Sequence, residues 1–193
     1  MHRVILMCSV LLVIAGACSS GEETSSQTAS SSTTTDQTST TGPAATPEAA
    51  MQLTSAAFGQ GDAIPVRFTC DGNDISPALT ITDIPTDAVS LVLIMEDPDA
   101  PGGTWDHWIA YDIPVVTEIA ENVGALGTAG TNSWGESGYG GPCPPSGTHR
   151  YLFTISAVDS DLGIQIGATK TQVLAALDGR VLAEATLMGA YSR

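Results

Sequence analysis

The chain has 193 residues, with 6 lysines and arginines against 21 aspartates and glutamates, for a formal net charge of −15 at pH 7. That length favours one domain. So acidic a surface repels phosphate backbones and anionic headgroups at long range, which argues against nucleic-acid binding and against charge-driven adhesion to anionic lipid.

Arg3 precedes an apolar run from Val4 to Ile14, and Ala15-Gly16-Ala17-Cys18 follows. A basic start, a short apolar core and small residues before a cleavage point make a secretory signal. The run is too short to span a bilayer stably. The Ala-Gly-Ala-Cys ending resembles a bacterial lipobox, which implies cleavage before Cys18 and lipidation of its thiol. Residues 1–17 are thus expected to be a signal, and residues 18–50 a lipidated cysteine and its tether. Ser and Thr dominate residues 19–41, and nothing there can repay the entropy of ordering. Pro43 and Pro47 stiffen the end. The expected address is extracytoplasmic, on a bacterial membrane (the outer one if the host has one), with membrane contact through the acyl anchor.

The folded domain is expected over residues 51–193. Leu53 and Phe58 anchor its start. The pattern predicts strands over 64–69 and 78–84, separated by a turn at 71–74. An apolar run, Leu91 to Met95, reads as a strand buried on both faces and stops at Glu96 and Asp97. Two prolines and two glycines in Asp97-Pro98-Asp99-Ala100-Pro101-Gly102-Gly103 force a turn. A strand resumes at Trp105. Simple alternation would put His107, Ile109, Tyr111 and Ile113 on one face, and Asp106, Trp108, Ala110 and Asp112 on the other.

Residues 115–132 show no clear period, and 134–147 read mostly as loop. Tyr139 to Tyr151, YGGPCPPSGTHRY, repeats the earlier construction: a Gly/Pro-rich loop enters a strand where His149, Tyr151, Phe153 and Ile155 share a face. If the two strands are neighbours, His107 and His149 converge with Asp97 on one small pocket. A helix follows, capped by Thr169 or Thr171, with a stripe of Val173, Leu174 and Leu177 and a stop at Gly179. A last strand is expected over 181–191. Short strands with Pro/Gly turns argue for an all-β sandwich.

Cys8 would leave with the signal and Cys18 is the anchor. Cys70 and Cys143 remain, an even pair in a compartment that permits oxidation, and a disulfide between them is expected. The sharper alternative is a Cys143 thiolate nucleophile, which a disulfide would exclude.

DPDAP, the Trp-x-His-Trp strand and GPxPPxGxHRY, in this order, resemble the phosphatidylethanolamine-binding protein family, and more closely its bacterial Raf-kinase-inhibitor-like branch. TCDGNDISPALTI (Thr69 to Ile81) and GRVLAEATLMGAYSR (Gly179 to Arg193) fit as well. The resemblance implies a mainly β fold, an antiparallel β-sandwich with Greek-key connections and a helix before the last strand. It also implies a pocket for phosphoryl groups and related anions at Asp97, Asp99, His107, Gly141, Cys143, His149 and Tyr151.

The residues suit that chemistry. Imidazole titrates near neutrality and donates from both nitrogens when charged. Asp97 can hold an imidazole in one tautomer. Backbone N–H groups of the Gly140-Gly141 turn can donate to an anion, while Trp105, Trp108 and Trp134 read as packing or rim residues. The ligand expected is a small phosphorylated or anionic molecule, or a phospholipid headgroup, bound without turnover and without a cofactor. A protein-interaction or inhibitor module is the alternative. A hydrolase or metal enzyme is disfavoured, since the chain has no G-x-S-x-G, H-E-x-x-H or Cys-x-x-Cys.

Overall fold

The computed structural model describes residues 49–193. The expected signal, Cys18 and the tether up to residue 48 lie outside the described residues. The domain contains strands β1 (Gln52–Thr54), β2 (Leu79–Thr82), β3 (Ser90–Asp97), β4 (Trp105–Pro114), β5 (Glu118–Ile119), β6 (Thr128–Ala129), β7 (Thr148–Val158) and β8 (Val181–Ser192), with one helix, α1 (Lys170–Leu177), before β8.

The strands form two antiparallel sheets, ordered β1-β2-β5 and β6-β4-β3-β7-β8. The chain runs β3, β4, β6 across one half of the larger sheet and then returns as β7 on the far side of β3. That return is a Greek key. It makes β7 the neighbour of β3 and so brings the two His-bearing strands to flank one Asp-bearing strand.

The core has two parts. Leu53, Ile81 and Ile119 of the small sheet pack on Leu91, Leu93, Met95, Tyr151, Phe153 and Ile155 of the large one. The opposite face of the large sheet packs Val92, Ile94, Ile109 and Tyr111 against Val173 and Leu177 of α1. The run Leu91 to Met95 is thus apolar throughout because β3 is covered on both faces. Helix α1 begins where the Thr169 N–H donates to Gln172 Oε1 at 2.9 Å, and Gly179, at φ +74°, takes the left-handed turn that ends it. Leu174 does not belong to the buried stripe; it is 48% exposed.

Two expectations change. Residues 64–69 form no strand. Pro65 has no N–H and sits at φ −58°, and Val66–Phe68 wind into a 3-10 turn in which the Phe68 N–H donates to Pro65 O. Strand β4 does not alternate cleanly either. Its pairing with β3 shifts register twice: Met95 faces Trp108 while Glu96 faces Asp106, and Leu93 faces Ala110 while Leu91 faces Ile113. Each shift leaves one extra residue in β4, a β-bulge. The second lies beside Asp112, which adopts φ +49°. Trp108, Ala110 and Ile113 therefore point between the sheets, while Ile109 and Tyr111 point to α1. The first bulge turns His107 away from Ile109 and onto the Tyr151 side.

Candidate functional site

Asp97 ends β3 and is 3% exposed. The Pro98-containing turn folds back on it, so that the Asp99 N–H donates to Asp97 Oδ1 at 2.8 Å. Its other oxygen, Oδ2, lies 2.7 Å from His149 Nδ1 across the β3–β7 pair. Both carboxylate oxygens are thereby engaged, and His149 is held in one orientation.

On the other flank, His107 Nδ1 lies 2.8 Å from Gly140 O, and the Gly140 N–H donates back to His107 O at 3.1 Å. The proton therefore sits on Nδ1, and Nε2 is the ring nitrogen left for the adjoining space. The ring is clamped edge-on between Trp134 (4.9 Å between centroids) and Tyr151 (5.2 Å). Burial pushes the His107 pKa down, and its hydrogen bond to Gly140 and the charge of Asp97 only partly oppose this. At neutral pH Nε2 is consequently an acceptor.

These side chains border a cavity of about 200 Å³, with Asp97, His107 and Cys143 in its wall and Pro101, Trp134 and Pro145 around it. Tyr151 lies beneath His107. Its hydroxyl is sealed from solvent, close to Asp97 and the Cys143 backbone. Burial and the nearby Asp97 charge raise its pKa far above the phenol range, so the hydroxyl keeps its proton.

Comparison with known proteins gives this architecture its family. The family model for phosphatidylethanolamine-binding protein matches residues 54–192. The chain belongs to the phosphatidylethanolamine-binding protein family. It is 48% identical over 149 residues to a UPF0098 protein of Chlamydia trachomatis, covering 74% of this chain and 99% of that one. A UPF0098 protein of the archaeon Methanothermobacter thermautotrophicus is 47% identical over 150 residues, with the same shares covered. The crystal structure of a C. trachomatis phosphatidylethanolamine-binding protein homologue superposes with a TM-score of 0.73 at 47% identity, over 75% of this chain and 98% of that one. Escherichia coli YbcL, described as a member of the mammalian family, superposes with a TM-score of 0.70 at 29% identity, over 75% and 99%.

Within this family frame, the seven residues marked by the resemblance separate into distinct positions. Asp97, His107 and Cys143 line the cavity, while His149 and Tyr151 stand behind that wall, His149 against Asp97 and Tyr151 edge-on to His107. Asp99 turns outward instead. Its carboxylate takes the Arg150 Nε (2.8 Å), Nη2 (2.7 Å) and backbone N–H (2.9 Å), and these bonds hold its pKa well below the carboxylate range.

Gly141 is not an anion donor, because its N–H is spent on Asp74 Oδ1 at 2.7 Å. It is glycine because a Cβ there would meet Phe68 O at 2.4 Å. The Gly140 N–H is likewise spent, on His107. Asp74, which reads in the sequence as a solvated turn residue, is thus a support of the Gly140-Gly141 turn that the sequence did not disclose. Only its partner's position, far along the chain, could have marked it.

Cys143 is joined to Cys70, with Cα atoms 5.5 Å apart. The bond leaves Cys143 no thiolate to act as nucleophile. The sequence placed Asp106 on the face away from His107, and Asp106 indeed turns to α1, where Lys170 Nζ reaches both Glu96 (2.5 Å) and Asp106 (2.9 Å).

The lowered His107 pKa has a sign that can be tested. The unfolded chain takes up this proton near pH 6.5, before the folded state does. The stability owed to neutral His107 is therefore complete above about pH 6.5 and is lost as pH falls below it. Thermal denaturation of the ligand-free domain from about pH 7 to 5, a window above the carboxylate range, is expected to show a falling midpoint in the native protein. The fall should be smaller in His107→Gln. Parallel curves for the two would remove His107 as the cause.

Proposed function

We propose that this domain is a non-catalytic binding module whose cavity takes a phosphoryl group or a similar small oxyanion, from a phospholipid headgroup or a small phosphorylated molecule. It works outside the cytoplasm, at the end of a lipidated tether. The observation that supports the ligand best is His107, which lines the cavity with Nδ1 held on Gly140 O and Nε2 left for a ligand. An oxyanion that shares a proton with Nε2 gains a hydrogen bond there. Asp97 does not oppose the anion with a bare charge, because His149 and the Asp99 N–H already hold both its oxygens. The Cys70–Cys143 disulfide supports the non-catalytic reading, since Cys143 beside the cavity offers no thiolate.

Neutral His107 sets the pH dependence. A phosphate oxygen at Nε2 needs a proton between them, carried by the imidazole or by the phosphate monoanion. Binding therefore takes up a proton, and affinity rises as pH falls through the imidazole range. Calorimetry with inorganic phosphate and with phosphorylethanolamine, in two buffers of different ionisation enthalpy, reads both affinity and proton uptake. His107→Ala is expected to weaken binding by about ten- to hundredfold, as for a lost charge-assisted hydrogen bond. Unchanged affinity in that variant would reject the site. Failure of the folded protein to bind any phosphorylated compound would favour the protein-interaction reading.

A further inference from the structure

Beside the anion cavity lies a second one of about 220 Å³. Trp134 and Cys143 belong to the walls of both, so one indole and one disulfide divide them. The remaining chemistry of the second cavity comes from Asp74, Asn132, Glu136 and Tyr139.

Asn132 is 7% exposed. Its Oδ1 accepts the backbone N–H groups of Trp134 (3.1 Å) and Glu136 (3.0 Å), which fixes the amide with its oxygen toward the loop. Nδ2 then carries two N–H donors with no protein partner among the described residues. It is not among the sealed unpartnered atoms, so these donors open to the space that Asn132 lines. Across that space Glu136 makes no ion pair among the described residues, and Asp74 uses Oδ1 on the Gly141 N–H while its Oδ2 makes no hydrogen bond among them. The wall thus offers a buried amide donor, carboxylate acceptors and the exposed indole of Trp134, which is 46% exposed.

Three classes of occupant can be compared. An anion meets the Asn132 donors but is repelled by Asp74 and Glu136. A cation suits the carboxylates and the indole but is opposed by the Asn132 N–H groups that open to the same space. A sugar ring satisfies all three: hydroxyls donate to the carboxylates and accept from Nδ2, and the C–H face of the ring packs on the indole. The volume lies below the roughly 300–1,000 Å³ of drug-sized ligand sites, which fits one ring. We propose that this second cavity is a binding site for a single neutral sugar residue. Its polar groups, Asp74, Asn132 and Glu136, are not in the wall of the first cavity, and failure of phosphate to bind there leaves the proposal untouched.

The test uses glucose, galactose and N-acetylglucosamine as probes, read by saturation-transfer NMR and Trp fluorescence, with tetramethylammonium as the cation control. At least one sugar is expected to bind at millimolar concentration. Asn132→Asp keeps the acceptor that holds the loop and removes the Nδ2 donors. It should weaken that sugar by about tenfold or more, with phosphate binding at the first cavity unchanged. Glu136→Gln, at an exposed position, should weaken it too and guards against a folding failure of the first variant. Thermal melts check that both are folded. No transfer to any of the three sugars, equal sugar binding in native and both variants, or tetramethylammonium binding that Asn132→Asp strengthens would each overturn the proposal.

Discussion

Replacing Cys70 and Cys143 together by serine is expected to lower the stability of the domain by about 4 kcal/mol, in the chain-entropy view of a cross-link. The bond joins residues 73 apart in sequence, so its loss frees a long segment of the unfolded chain. That is a large part of the roughly 5–15 kcal/mol of a typical domain. Urea denaturation should show a lower midpoint and a steeper dependence on denaturant, since the unfolded state without the bond exposes more surface. Native protein treated with a dithiol should match the double variant. The loop at Cys143 retains other ties, the Tyr139 hydroxyl on Phe68 O at 2.6 Å and the Gly141 N–H on Asp74. The cavity should therefore survive in the folded fraction with weakened affinity. An unchanged midpoint would mean that the bond constrains nothing.

Asp97→Ala is expected to cost about 1–3 kcal/mol for each hydrogen-bonding partner it leaves buried and unsatisfied. The change strands the His149 ring, which is 7% exposed, and also the Asp99 N–H. Asp97→Asn keeps the volume and the bond to the Asp99 N–H, and should cost clearly less. In a double-mutant cycle, adding His149→Ala to Asp97→Ala should cost less than His149→Ala does alone, because the two groups are coupled. Full additivity would show that the 2.7 Å contact carries no coupling.

The long strands were legible because their patterns are local. Leu91 to Met95 has only one reading as a strand covered twice, and Tyr151, Phe153 and Ile155 alternate without interruption to the core. The bulges of β4 were not legible, since an extra residue in one strand is defined only against its partner, and the partner register of β3 is not written in β4. The 3-10 turn at Val66–Phe68 hid behind apolar residues that suit a strand equally well; Pro65 was the overlooked sign. At the site, turn composition drew attention to Asp97, His107 and His149. The backbone donors of Gly140 and Gly141 were assigned to a ligand because their protein acceptors, His107 O and Asp74 Oδ1, lie 33 and 67 residues away. Long-range hydrogen bonds of this sort leave no periodic trace.

The Greek-key return bears on how the chain is made as well as on where the site sits. Strand β3 pairs with β4 across a short turn, but its other neighbour, β7, begins only at Thr148. Until that segment has emerged, the Leu91-Val92-Leu93-Ile94-Met95 strip presents an open hydrogen-bonding edge with apolar side chains above and below. Such a strip is a template for another copy of itself. The sequence answers with charge: Glu96 and Asp97 follow the strip directly, acting as gatekeepers that disfavour stacking of identical strands. The carboxylate that later orients His149 thus also guards the nascent chain against its own most aggregation-prone segment.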